Sequence, residues 1–179
     1  MIKVIRLLAI AIFSSVIVIV SSGSPGFTQT VPDRVEAVYA ATATETAVPL
    51  KVPSFIPLNS PAAPSEYWAF SIVPQPDRYS ISFDRAEDCT DVAECSFAIS
   101  SGKLRDNSDQ TLNVLVSRAD VNNAEAIALS DGTPAVYVPF REGLYAPSYV
   151  YWDAGKYRYT VGIYMASKSD VLEMANSSI

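Results

Sequence analysis

"SYVYWDAGKYRYTVGIYM", residues 148–165, decides the fold. Apolar and polar residues alternate on both sides of Asp153-Ala154-Gly155-Lys156, so the stretch reads as two strands joined by a tight turn. In the second strand Tyr157, Tyr159, Val161, Ile163 and Met165 share one face, and Arg158, Thr160, Gly162 and Tyr164 share the other. Successive strand side chains point to opposite faces, so an uneven alternation of this kind marks a sheet packed on one side.

Working outward, "AEAIALSDGTPAVYVPF" (124–140) reads as a second hairpin turning at Asp131-Gly132, a pair that supplies positive φ. Further upstream, "YWAFSIV" (67–73) is a strand ended by Pro74 and Pro76, and "RYSISFD" (78–84) alternates with Tyr79, Ile81 and Phe83 on one side. "CSFAISS" (95–101) places Cys95, Phe97 and Ile99 together, and "TLNVLVSR" (111–118) reads as a further strand, although its Leu and Asn also suit a short helix. Downstream, Ser167 followed by Asp170 is close to a capping box, and Val171, Met174 and Ala175 form one apolar stripe. A short helix at about 168–177 therefore closes the chain. The expected class is α+β: a mainly antiparallel sheet with a short C-terminal helix packed on it.

The N-terminal third is different. Lys3 and Arg6 precede an apolar run from Leu7 to Val20, and Ser21, Ser22, Gly23 and Ser24 follow, which is the layout of a secretory signal peptide over residues 1–23. An uncleaved membrane anchor is the alternative, although so short a run is marginal for spanning hydrocarbon. Residues 24–44, rich in Ala, Thr, Ser and Pro, read as a disordered spacer. Residues 45–179 then form a single mainly-β domain that begins with extended chain over 45–66. There Pro49, Pro53, Pro57, Pro61 and Pro64 recur, and Val48, Leu50, Val52, Phe55, Ile56 and Leu58 are available to cover the core.

Charge and composition narrow the chemistry. The 179-residue chain has no histidine, so a Ser-His-Asp or Cys-His nucleophile system cannot be built. Removal of residues 1–23 takes away Lys3 and Arg6 and no acid, leaving 11 basic against 19 acidic groups, a net charge of −8. Such an acidic chain is not expected to bind nucleic acid. The expected contact with membrane is through the leader alone, if it stays uncleaved.

The two cysteines, Cys89 and Cys95, admit a metal, a redox reaction or a staple. Their spacing is not C-x-x-C, and zinc would need two further good ligands. An exported chain meets an oxidising compartment, so a disulfide is expected. The acidic connection beside it carries Asp84, Glu87, Asp88, Asp91 and Glu94. It reads as a solvated loop, with calcium as the alternative. No cofactor is expected.

Seven of the ten tyrosines fall between residues 137 and 164, with Trp152 among them. Most are expected to fill a core or to pair across strands. The functional alternative is a stacking platform for a sugar or an extended peptide, with Tyr145, Tyr149, Trp152 and Tyr164 as candidate ligand-binding residues. No pair of carboxylates stands out for hydrolysis, and no catalytic residue is assigned.

The C-terminal part resembles a poorly characterised group of secreted bacterial domains, through Gly132, Ala135, Tyr137, Trp152, Gly155, Tyr159, Leu172, Ala175 and Ser177. Tyr79, Ile81, Cys89 and Cys95 extend the resemblance upstream. The group is distantly similar to extracellular anti-sigma-factor-associated and lipoprotein-sorting-like domains. Where it often carries a second cysteine pair, this chain has "REGLYAPSY" (141–149). The resemblance implies a periplasmic or secreted envelope domain without assigned chemistry, whose partner is an unknown envelope protein or ligand. Two alternatives accompany it: a carrier of a hydrophobic ligand such as a lipid or lipoprotein, and a small carboxylate-dependent hydrolase.

Overall fold

The computed structural model describes residues 31–58, 64–72, 74–89, 95–106, 112, 123–140 and 146–179. The leader, Tyr145 and all of the expected strand at 111–118 except Leu112 lie outside these.

Seven strands form one antiparallel sheet: β1 (Trp68–Ser71), β2 (Arg78–Asp84), β3 (Ser96–Leu104), β4 (Glu125–Ala128), β5 (Pro134–Val138), β6 (Pro147–Ala154) and β7 (Tyr157–Tyr164). Their order is β1-β2-β3-β7-β6-β5-β4. Two meanders, β1-β2-β3 and β4-β5-β6-β7, are therefore sewn together along β3 and β7. Helix α1 (Asp33–Glu45) and helix α2 (Lys168–Asn176) accompany the sheet in this α+β fold.

The hairpin that opened the reading is present, with a tighter turn than expected. Ala154 pairs with Tyr157, so only Gly155 and Lys156 turn the chain, and Gly155 takes φ +60°. A glycine at the first of two turn positions suits the twist of the flanking strands. Tyr159, Val161 and Ile163 lie in the core, but Met165 does not: the strand stops at Tyr164, and Met165 is exposed with φ +54°. The β4–β5 hairpin turns through Ser130-Asp131-Gly132, closed by Leu129 N–H donating to Thr133 O and Gly132 N–H donating to Leu129 O, with Gly132 at φ +85°.

A bulge corrects a second expectation. The pairing shifts between Phe83 and Asp84, so Asp84 faces Ser96 while Phe83 faces Ala98. The extra residue, Phe97, is fully buried and meets Tyr67 edge-on at 5.7 Å. Beyond the bulge the phase reverses, as an inserted residue requires. Ala98, Ser100 and Gly102 then sit beside Phe83, Ile81 and Tyr79, and Ile99 takes the other face.

The expected spacer is the largest correction. From Asp33 it is helix α1, not disordered chain, and Val35 and Thr42 are buried. Alanine is the best helix former, and Asp33 and Glu36 lie in the first turn, where negative charge suits the helix dipole. Val31, Val35, Val38 and Tyr39 recur at helical spacing and join the hydrophobic core, and Thr42 is buried with its hydroxyl on Val38 O. Next comes the extended segment 46–58, which does cover the core: Val48 and Ile56 are buried, and Leu50, Val52 and Leu58 pack against them. Helix α2 adds Val171, Met174 and Ala175, and its start carries the expected capping box of Ser167 and Asp170.

Candidate functional site

Proline has no N–H, but its carbonyl still needs a donor when water is excluded. The segment 46–58 carries Pro49, Pro53 and Pro57 across the core face of the sheet, and side-chain hydroxyls meet its backbone. Tyr159 donates to Pro49 O (3.0 Å) and Tyr39 to Pro53 O (3.0 Å). Tyr79 both donates to Lys51 O (3.1 Å) and accepts from Lys51 N (3.0 Å). Tyr157 reaches Ala47 O at 3.4 Å. At the far end Ser177, just past α2, donates to Phe55 O (3.0 Å), while its own carbonyl accepts from Ser54 N (3.2 Å).

Gly102 makes this arrangement possible. It lies between Tyr79 and Tyr159 in one cross-strand row, and a Cβ there would meet Tyr79 Cε1 at 2.5 Å and Tyr159 Cδ1 at 2.9 Å. The two rings thus occupy the space that a side chain would take. Burial raises the pKa of Tyr39 and Tyr79, and pushes that of Tyr67 up to about 12. These phenols stay neutral near physiological pH, and those of Tyr39 and Tyr79 serve as hydrogen-bonding groups. Val31, Glu36, Tyr39, Val52, Pro53 and Ser54 line a groove of about 250 Å³ between α1 and this segment.

The candidate ligand residues are divided between the two faces. Trp152 lies in the core, 1% exposed and stacked on Tyr159 at 5.6 Å; its indole N–H has no acceptor among the described residues. Tyr149 and Tyr164 occupy the opposite face and are half-buried, with Tyr149 5.5 Å from the ring of Tyr151. Tyr149 lies over Gly162, where a Cβ would meet its ring at 2.7 Å. Here too an aromatic ring fills the space above a strand glycine.

Cys89 and Cys95 form the expected disulfide between β2 and β3, with their Cα atoms 5.5 Å apart. Asp84 is not part of a solvated acidic loop. It is 3% exposed and accepts from Ser96 Oγ at 2.8 Å. Burial raises its pKa, against which the Ser96 and Ser82 hydroxyls act. Glu87 and Asp88 remain in the connection, and Asp91 and Glu94 lie outside the described residues. Among the described residues no group of three or more His, Cys, Asp or Glu could hold a metal, and no helix is long and apolar enough to cross a membrane.

Sequence reasoning missed the part played by Tyr39, Tyr79 and Ser177. The available signal was the run of prolines opposite strand tyrosines flanking a glycine, which acquires meaning only once strand order is known. No protein-family model, curated protein or solved structure matched the chain.

Proposed function

We propose that the chain is an exported, non-catalytic domain of the cell envelope, acting as an accessory or ligand-binding module. The observation that carries this reading is how its carboxylates are used. Asp84 is hydrogen-bonded to a serine, Asp77 pairs with Arg78, and Asp153 lies between Arg105 and Arg158. Asp131 holds its own turn through Thr133, and Asp170 caps α2. Each is engaged in a separate structural contact, whereas hydrolysis by paired carboxylates needs two converging on one bond. The disulfide fits an oxidising compartment.

Trp152, Tyr159, Ile163 and Met174 are buried beneath the helices and the extended segment, which favours this reading over an acyl-chain carrier. Tyr149 and Tyr164 on the opposite face are the ligand-facing residues of this reading. Stacking of a sugar or an extended peptide on them supplies the contact. The test is binding of soluble envelope glycan fragments and extended peptides by wild-type and Tyr149→Ala/Tyr164→Ala protein, beside a panel of glycoside, ester and peptide substrates. Binding lost in the double variant, without turnover, is expected. Turnover of any substrate would sink the reading.

A further inference from the structure

Among the described residues the sheet ends in β1 on one side and β4 on the other, and the chain treats these two edges differently. At β1, the bond from Ile72 N to Ser80 O sets the bonded pairs with β2 at residues 68, 70 and 72, so Tyr67, Ala69 and Ser71 direct their backbone groups outward. Helix α1 guards that edge. Arg34 Nε donates to Tyr67 O (3.0 Å), its guanidinium lies 4.8 Å from the centre of the Trp68 ring, and Ala69 is buried.

The β4 edge has no such guard among the described residues. The bond from Leu129 N to Thr133 O, together with the missing N–H of Pro134, sets the bonded pairs with β5 at residues 125, 127 and 129. Ala126 and Ala128 therefore direct their N–H and C=O groups away from the sheet. Both are exposed, and among the described residues no backbone group bonds to them on that side. Lysine, proline and bulges are the usual protections of an open edge, and β4 has none of them; it is protected only by being four residues long. Glu125 is the one charge in the strand, and Lys168 pairs with it.

Antiparallel pairing alternates bonded and unbonded pairs, so an open edge accepts another strand only in a register that joins outward-facing residues. For two copies of β4 that register is symmetric about Ile127. Ala126 of each copy bonds to Ala128 of the other, and the two Ile127 side chains meet at the two-fold axis. The outward groups of both alanines are then satisfied, and their methyl side chains obstruct nothing. Ile127 already packs against the core, so the apolar cluster continues across the junction. The same register sets Glu125 against Leu129 and Asp131 against Asn123, so no two carboxylates are opposed, although the chain carries −6 overall. A foreign strand would draw its specificity from side-chain pockets beside the edge, and two alanines form none.

We propose that β4 is a homodimer contact, at which a second copy of this chain adds its own β4 antiparallel across Ile127 and continues the sheet. The contact is short, so association is weak and depends on concentration. It involves neither Tyr149 nor Tyr164, so its failure would leave the reading above intact.

The test is sedimentation equilibrium of wild-type protein up to about 1 mM, beside two charge patterns. Ala126→Lys/Ala128→Lys sets lysines against each other across the junction and should weaken dimerisation roughly tenfold or more. Ala126→Glu/Ala128→Lys sets glutamate against lysine in the same register and should dimerise at least as tightly as wild type. Circular dichroism verifies the fold of each variant. If the charge variants unfold, Ile127→Cys serves instead: its thiols meet at the two-fold axis and should give a covalent dimer on air oxidation. Wild-type protein that stays monomeric throughout, or a folded double-lysine variant that dimerises as wild type does, overturns the proposal. A monomer that binds an extended peptide, with binding lost in the double-lysine variant, assigns the edge to a foreign strand and overturns it as well.

Discussion

The segment 46–58 and the connection between β2 and β3 are both tied to the same sheet, one without a covalent bond and the other with one. The extended segment buries Val48 and Ile56 and has its backbone met by hydroxyls from α1, β2, β7 and the end of α2. Cys89 and Cys95, six positions apart, tie only their own short connection. A disulfide acts by restricting the unfolded chain, and a loop this short gives it little to restrict. The lesson is that the covalent tie here is the local one, and the uncrosslinked segment is part of the core.

The comparison is most easily broken at Ile56. Ile56→Ala should cost about 3 kcal/mol, because a large apolar group fully buried between sheet and helices leaves a cavity. Denaturant unfolding measures it; a cost below that of removing the disulfide would reverse the ranking. Next, Cys89→Ser/Cys95→Ser should cost about 2 kcal/mol without changing the near-ultraviolet spectrum of the core. Gly102→Ala should cost about 1–2 kcal/mol, because the new methyl displaces the rings of Tyr79 and Tyr159. Tyr159→Phe, which keeps the ring and loses the bond to Pro49 O, should cost about 1 kcal/mol.

Two pH dependences sharpen the contrast further. Tyr67 has a folded pKa of about 12 against an ordinary value of 10, so the folded state holds its proton longer. Its contribution is complete below pH 10 and is lost as pH rises toward 12. Absorbance at alkaline pH should show the buried phenols ionising only as the protein unfolds. The smallest effect belongs to Asp84, beside the disulfide connection. Its folded pKa is raised by burial, so stability falls as pH climbs from the ordinary aspartate value through the folded one. Asp84→Asn should remove that slope and be no less stable than wild type at neutral pH; retention of the slope would assign it to another group.

Much of the sheet was legible in the sequence. The 78–84 alternation defines β2, both turn glycines mark hairpins, and Ser167 with Asp170 marks the start of α2. What escaped had physical causes. Ala- and Thr-rich composition conceals α1, because weakly apolar alanines hide the spacing of Val35, Val38, Tyr39 and Thr42. The bulge at Phe97 breaks the period on which face assignment depends, so Ile99 was placed on the wrong side. The candidate ligand residues were separated by a plain consequence of alternation: Trp152 is an odd number of positions from Tyr149 and so faces the other way. The tyrosine-held segment depends on β3 lying beside β7, a pairing between residues more than fifty positions apart.

The stack of Trp152 on Tyr159 gives the molecule an optical reporter of its own. Of the two tryptophans, Trp68 lies in edge strand β1 under the Arg34 guanidinium, and Trp152 is sealed in the core. Emission from Trp152 should be blue-shifted and sensitive to its aromatic neighbour, whose hydroxyl is bonded to Pro49. Fluorescence of an unlabelled Trp68→Phe protein thus follows, in real time, whether the proline-bearing segment is seated on the sheet.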